Sequence, residues 1–265
     1  MRATALALMV ALLPGVVAAQ AADRAIEVTA DQGLEWDKTQ KLYIARGNAR
    51  LTRGQTSIAA GVLRAWYRDD GTMRGQVFRV EAEGDVRITR GDLVATGMRG
   101  IYDTDKRVGR LTGAGLAVSS GDARLTATDV IELHEDRRVV VARGGVRLMR
   151  PGEELRALSL SLQFEPVETG RRGRTRLARV EAQGDVRVAS CAGTVQADRI
   201  VYDPQSGDAR LSGNVKLTRG NDRLEGAEAE INTKDGSMRV TSAPRGRVAV
   251  VLKKSDGAPR GAPCR

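Results

Sequence analysis

Aromatic residues make up only 3% of this 265-residue chain, histidine occurs once, and cysteine twice. Each shortage excludes something. Single-strand nucleic-acid binders stack bases on aromatic platforms. Here Trp36, Trp66, Tyr43, Tyr67, Tyr102, Tyr202, Phe78 and Phe164 are scattered without forming a stripe, so no nucleic-acid partner is expected. The lone histidine, His134 in "ELHEDRR", reads as an exposed residue at a hairpin tip. Without a second histidine, a GxSxG elbow, a phosphate-binding loop or a zinc spacing, no catalytic or metal-ligating constellation is present. The chain is expected not to be an enzyme and to need no metal or cofactor. Cys191 reads as a small buried strand residue and Cys264 as an exposed tail thiol, with a disulfide between them as the alternative. Proline is scarce at seven residues, whereas glycine reaches thirty, a balance that suits short strands and tight turns.

Long apolar runs are also missing beyond the first residues, so no later segment is expected to span a bilayer as a helix. The opening "MRATALALMVALLPGVVAAQA" carries Arg2, an apolar run from Ala3 to Val17, and small residues at Ala19 and Ala21. That is the layout of a secretory signal peptide over residues 1–21. The run is too short for a span and Pro14 interrupts it. The mature chain is therefore expected to be exported. Its formal charge is +10. An acidic partner and a simple abundance of arginine on solvent faces both account for that excess.

What the chain has in abundance is repetition. "RVEAEGDVRITR" at Arg79–Arg90 returns as "RVEAQGDVRVAS" at Arg179–Ser190. Related copies centre on Gly47, Gly144 and Gly213, with a degenerate one at Gly113. In each full copy the apolar residues keep one parity: Val80, Ala82, Val86 and Ile88, for example, against Glu81, Glu83, Asp85 and Arg87. Period two marks a half-buried strand. The phase survives the central glycine, so "GD" and "GN" are not hairpin turns here. The glycine is expected on the apolar side of one long bent strand, at a bulge or close approach. A second alternating strand follows each copy, "LSLSLQF" at 158–164 being the plainest. The expected fold is all-β: stacked antiparallel hairpins sharing one apolar face, in duplicated blocks of about 26–130 and 131–240, within a domain over 22–252. Residues 253–265, rich in Pro, Gly and cations, read as a disordered basic tail. Alternation alone leaves open whether the apolar face encloses a filled core or lines an open groove.

The segment from Arg24 to Tyr67, with "IEVTADQ" and "IARGNARLTRG", resembles the start of the LptA/OstA-like family of lipopolysaccharide-transport proteins. "APRGRVAVVLKK" at 243–254 is similar to that family's last strand. The resemblance implies a β-jellyroll folded like a taco, an apolar groove for the lipid A acyl chains of lipopolysaccharide, and a periplasmic location. It also implies head-to-tail stacking of copies between inner-membrane LptC-like and outer-membrane LptD-like proteins, bridging the two membranes. On that footing the groove candidates are Leu51, Val86, Ile88, Val146, Leu148, Val186, Val188, Val215 and Leu217. The phosphate-contact candidates are Arg87, Arg147, Arg187 and Lys216, since guanidinium matches phosphate bidentately.

Overall fold

The computed structural model describes residues 26–68, 75–167 and 175–242, and the backbone of 249–251. The residues read as the signal peptide, the basic tail and most of "APRGRVAVVLKK" lie outside these.

All described regular structure is β. Short paired strands β1 (Ile26–Thr29) and β2 (Gly33–Asp37) precede four long ones: β3 (Leu42–Arg53), β4 (Thr56–Arg68), β5 (Gln76–Arg90) and β6 (Leu93–Asp103). Four short strands follow: β7 (Val108–Thr112), β8 (Ala117–Ser120), β9 (Ala123–Thr126) and β10 (Val130–His134). Long strands then resume as β11 (Val139–Arg150), β12 (Glu153–Pro166), β13 (Thr175–Ser190), β14 (Gly193–Tyr202), β15 (Asp208–Arg219) and β16 (Asp222–Asn232). The sheet closes with β17 (Met238–Thr241) and β18 (Ala249–Val251), both paired to β16. Every pairing is antiparallel and joins sequence neighbours or the two halves of a broken strand, so one sheet runs the length of the chain.

The repeated glycine is where this sheet bends. β5 continues unbroken through "EGDV", as its parity predicts. Gly84 and Asp85 both adopt left-handed backbone, with φ of 80° and 48°. The same pair recurs as Gly47–Asn48, Gly144–Gly145, Gly184–Asp185 and Gly213–Asn214. Asn and Asp are the non-glycine residues that tolerate this region best, which explains the "GN" and "GD" spelling. At each site two residues oppose one on the following strand, as between Glu83/Val86 and Arg99/Gly97: a bulge that turns the strand. The bulges fall on alternate strands and form a crease dividing the sheet into two limbs.

One sequence expectation about these glycines is corrected. A Cβ at Gly184 would come within 2.7 Å of the Leu158 side chain, and one at Gly113 within 2.7 Å of Met98. Leu158 and Met98 are exposed, at 63% and 43%. The glycines thus face outward at the crease, not onto the apolar side. Two consecutive left-handed residues restore the inward parity beyond the bend, which makes the phase look uninterrupted.

Packing is tightest beside the crease. Ala45, Ala49, Ala82, Val86, Ala142, Val146, Ala182 and Val186 are all 3% exposed or less. There, large residues oppose small ones across strands: Val86 faces Gly97, Val146 faces Ala157, and Val186 faces Ala197. Interdigitation of this kind fills space without strain. With so few aromatics, the core is aliphatic.

Three further expectations change. Cys191 lies in the turn between β13 and β14, is exposed, and is disulfide-bonded; Cys264 lies outside the described residues. His134 ends strand β10 with its side chain only 19% exposed. Its Nδ1 accepts a hydrogen bond from Arg137 at 2.7 Å. Finally, the aromatics are not all scattered. Trp36 is the register partner of Tyr43, whose ring lies 4.8 Å from that of Tyr67, and Trp36 Nε1 donates to the Tyr67 hydroxyl at 2.8 Å. Pairing of β2, β3 and β4 brings together residues 31 positions apart.

Candidate functional site: an apolar rail with cations on either side

Antiparallel register converts the alternation of single strands into rows that cross the whole sheet. In the limb that follows the bulges, two inward rows and one outer row hold the candidates.

The row next to the crease holds Val86, Val146, Val186 and Val215, each 0–1% exposed. These groove candidates are core residues. The next row is a continuous apolar rail. Leu51 faces Ile58, which faces Ile88 and then Ala95. The register continues through Val118 and Leu125 to Leu148, then Leu155, Val188, Val195, Leu217 and Leu224. Most of this rail is only partly buried, including Leu51, Ile58, Ile88, Leu148, Leu155, Val188, Val195 and Leu224; Leu217 is 7% exposed. Burial therefore falls from the crease towards the turns. Five groove candidates, Leu51, Ile88, Leu148, Val188 and Leu217, lie on this rail. The rest of the rail, which includes Ile58, Leu155, Val195 and Leu224, lies on strands without the repeated glycine and was not among the candidates. Alternation in the return strands was the signal available.

At the first strands the apolar face is openly exposed. Leu34 and Trp36 share inward parity with Ala45 and Tyr43. Leu34, Trp36 and Tyr43 are 61%, 57% and 40% exposed.

The four phosphate-contact candidates fall in a single row on the opposite, outer face. Arg87 is the register partner of Ala59 and Thr96, Arg147 of Arg156, Arg156 of Arg187, and Gln196 of Lys216. Arg156, and Arg50 at the start of the row, were not anticipated. Glu154 accepts hydrogen bonds from Arg156 at 2.9 and 3.0 Å and forms an ion pair with Arg147 at 2.9 Å. The Arg156 hydrogen bonds, with the charges of Arg156 and Arg147, hold the Glu154 carboxyl below its ordinary value against its partial desolvation. Arg187 pairs with Asp185 at 3.3 Å. Lys216 and Arg223, with Thr194, Gln196 and Thr218, line a shallow polar cavity of about 190 Å³.

The outer face of the other limb carries arginine–glutamate triads. Glu81 pairs with Arg79 and Arg99, Glu132 with Arg110 and Arg143, and Glu181 with Arg199 and Arg179. Glu81 and Glu132 are just 8% and 5% exposed. Among the described residues, no group of three or more His, Cys, Asp or Glu could hold a metal ion.

Two stretches, residues 27–137 and 126–237, each match the model of the LptA/(LptD N-terminal domain) LPS transport protein family. The chain belongs to this family. The two matches overlap from Thr126, the last residue of β9, through β10, so one LptA-like chain carries the family's unit twice in succession. Among solved structures it is similar to LptH, the LptA-homologous periplasmic component of the lipopolysaccharide transport device from Pseudomonas aeruginosa. Identity is 13%, over 88% of this chain and 99% of that one, with a TM-score of 0.23. So loose a superposition carries no geometric argument. No curated protein matches the chain. The all-β jellyroll expected from the LptA-like resemblance is the fold observed.

Proposed function

We propose that this protein is a periplasmic lipopolysaccharide carrier that lays the acyl chains along the apolar rail and passes them between the inner and outer membranes. The observation that carries this reading is the gradient of burial across one apolar face. The crease is closed by Val86, Val146, Val186 and Val215, while Leu51, Ile88, Leu148 and Val188 one row out stay partly exposed. A filled sandwich would bury both rows alike. An aliphatic rail free of hydrogen-bonding groups accepts hydrocarbon and rewards it only by area removed from water. Such binding holds a chain without fixing its position, as a conduit requires. Exposed Leu34, Trp36 and Tyr43 at the first strands supply an open end for entry or for a neighbouring molecule.

Among the described residues, β1 and β2 have a register partner only in β3, and β17 and β18 only in β16, which leaves one edge of each unpaired. Unpaired edges pair with other chains unless blocked. Head-to-tail copies of this chain, capped by inner-membrane LptC-like and outer-membrane LptD-like partners, would extend the rail. Photocrosslinkers placed at Ile88 and Val188 in the exported protein test the reading. Lipopolysaccharide adducts at these positions and none at the outer-face position Thr96 support it. Adducts only at Thr96, or none anywhere alongside an intact outer membrane after depletion, would leave a structural repeat protein in its place.

A further inference from the structure

The apolar face does not end at the rail. On the glycine-bearing strands one more position of the same parity follows before each short turn, and it is a cation in four places. Arg53 follows Leu51, Arg90 follows Ile88, Arg150 follows Leu148, and Arg219 follows Leu217. All four are exposed, and none forms an ion pair with a described residue. Arg150 faces Glu153 and Arg219 faces Asp222 across their hairpins. Arg53 and Arg90 differ. Both are register partners of the neutral Thr56, one from each side. The carboxylate in the adjoining turn, Asp92, is engaged by the Ser120 hydroxyl at 2.9 Å.

Two guanidinium groups flanking a hydroxyl, with no acid in the row, form an anion site of specific chemistry. Guanidinium grips phosphate oxygens in pairs, and threonine adds a neutral donor. Their strands are about 9.6 Å apart, two spacings across the sheet. The rail residues Leu51, Ile58 and Ile88 lie on the same three strands, two positions deeper, which is about 7 Å along a strand.

We infer that Arg53, Thr56 and Arg90 form a phosphate-monoester site at the mouth of the apolar face, holding the phosphorylated head of an amphiphile whose hydrocarbon lies on Leu51, Ile58 and Ile88. The inference rests on the carrier reading above and adds to it a polar anchor with a fixed register. It assigns the headgroup to the inward-parity row at the turns, not to the outer row of Arg87, Arg147, Arg187 and Lys216. That row is separated from the rail by the sheet itself.

The test uses the full mature protein and three probes: lipopolysaccharide with its lipid phosphates, the same material after enzymatic removal of phosphate, and inorganic phosphate alone. Wild type is expected to bind the phosphorylated form about tenfold more tightly than the dephosphorylated one. The double variant Arg53→Gln/Arg90→Gln should bind both at the dephosphorylated level, with an unchanged melting temperature because both side chains are exposed. Thr56→Val should lose part of the preference, and the outer-face variant Arg124→Gln none. The inference is overturned if the double variant keeps the preference, or if Arg87→Gln loses it instead. It is also overturned if wild type binds both forms equally, an outcome that leaves the carrier reading intact. If millimolar inorganic phosphate abolishes the preference by occupying the same arginines, the site is one for free phosphate and the headgroup assignment falls. Failure of wild type to bind either lipid would instead remove the carrier reading itself.

Discussion

The Glu132 carboxylate receives Arg110 from one neighbouring strand at 2.6 Å and Arg143 from the other at 2.9 Å. Burial alone would raise this carboxyl; the hydrogen bonds and charges of the two arginines outweigh it and hold it below its ordinary value. Glu132 lies where the two family matches overlap, with Arg110 in the first match and Arg143 in the second. Glu132→Ala strands two guanidinium groups beside each other and should cost about 1–3 kcal/mol in urea unfolding. Glu132→Gln, which retains an acceptor, should cost less. Equal losses would show that the charge contributes nothing there.

Acid should weaken the fold through the same groups. Glu132 is lowered as described, Glu181 by hydrogen bonds from Gln183 and Arg199 against its burial, and Glu83 chiefly by its hydrogen bond from Arg64. A carboxyl lowered in the folded state stabilises fully above its unfolded value, here 4.5, and loses that contribution as pH falls through the lower folded value. Urea midpoints should therefore be flat from about pH 5.5 to 7.5 and fall below pH 4.5. A midpoint that stayed level down to pH 3 would contradict this assignment.

Gly84 and Gly184 are matching corners with different surroundings. Both have φ near 80°. A Cβ on Gly84 would meet only the Gly61 backbone at 3.7 Å, whereas one on Gly184 would strike Leu158 at 2.7 Å. Alanine at either should cost about 1–2 kcal/mol of backbone strain. Gly184→Ala should cost more, and Leu158→Ala should return the excess in a double-mutant cycle. A cycle showing no coupling would mean that Leu158 swings away freely.

Crease and mouth should separate stability from binding. Leu160, 1% exposed in the core, should cost about 3 kcal/mol or more when cut to alanine. Val188→Ser, in the half-buried rail, should cost far less stability while reducing lipopolysaccharide capture by a photocrosslinker at its register partner Leu155. Thermal melts and crosslinking on the same samples provide the comparison. Parallel losses in both variants would favour a uniformly filled interior.

Much of the fold is legible from residue order because a strand writes its two faces into alternate letters. The parity of Val80, Ala82, Val86 and Ile88 placed one apolar face without any knowledge of neighbours. The "GD" and "GN" pairs identified the bends. Legibility failed where the outcome depends on pairing partners. The outward aim of Gly184 depends on Leu158, from another strand. The grouping of Trp36, Tyr43 and Tyr67 depends on register between three strands. Cys191 looked like a strand residue because alanine, glycine and threonine around it read equally well as strand or turn. Within the candidate site, the apolar side was legible but its depth was not. Val86 and Ile88 are equivalent as letters, yet one is core and the other half-open, because only one lies beside the crease. The rim arginines are hidden in the sequence because Arg53 and Arg90 precede glycine in what reads as turn chemistry, although each keeps the strand's alternation to its last position.

Each corner of the sheet is made by the strand that carries it, with its own left-handed pair and its own return strand. A whole hairpin can be added or removed without altering the bend of any other, and each changes the molecule's length by about 9.6 Å. The fold behaves as a ruler graduated in hairpins, and a gene that duplicates one block makes a longer ruler of the same cross-section.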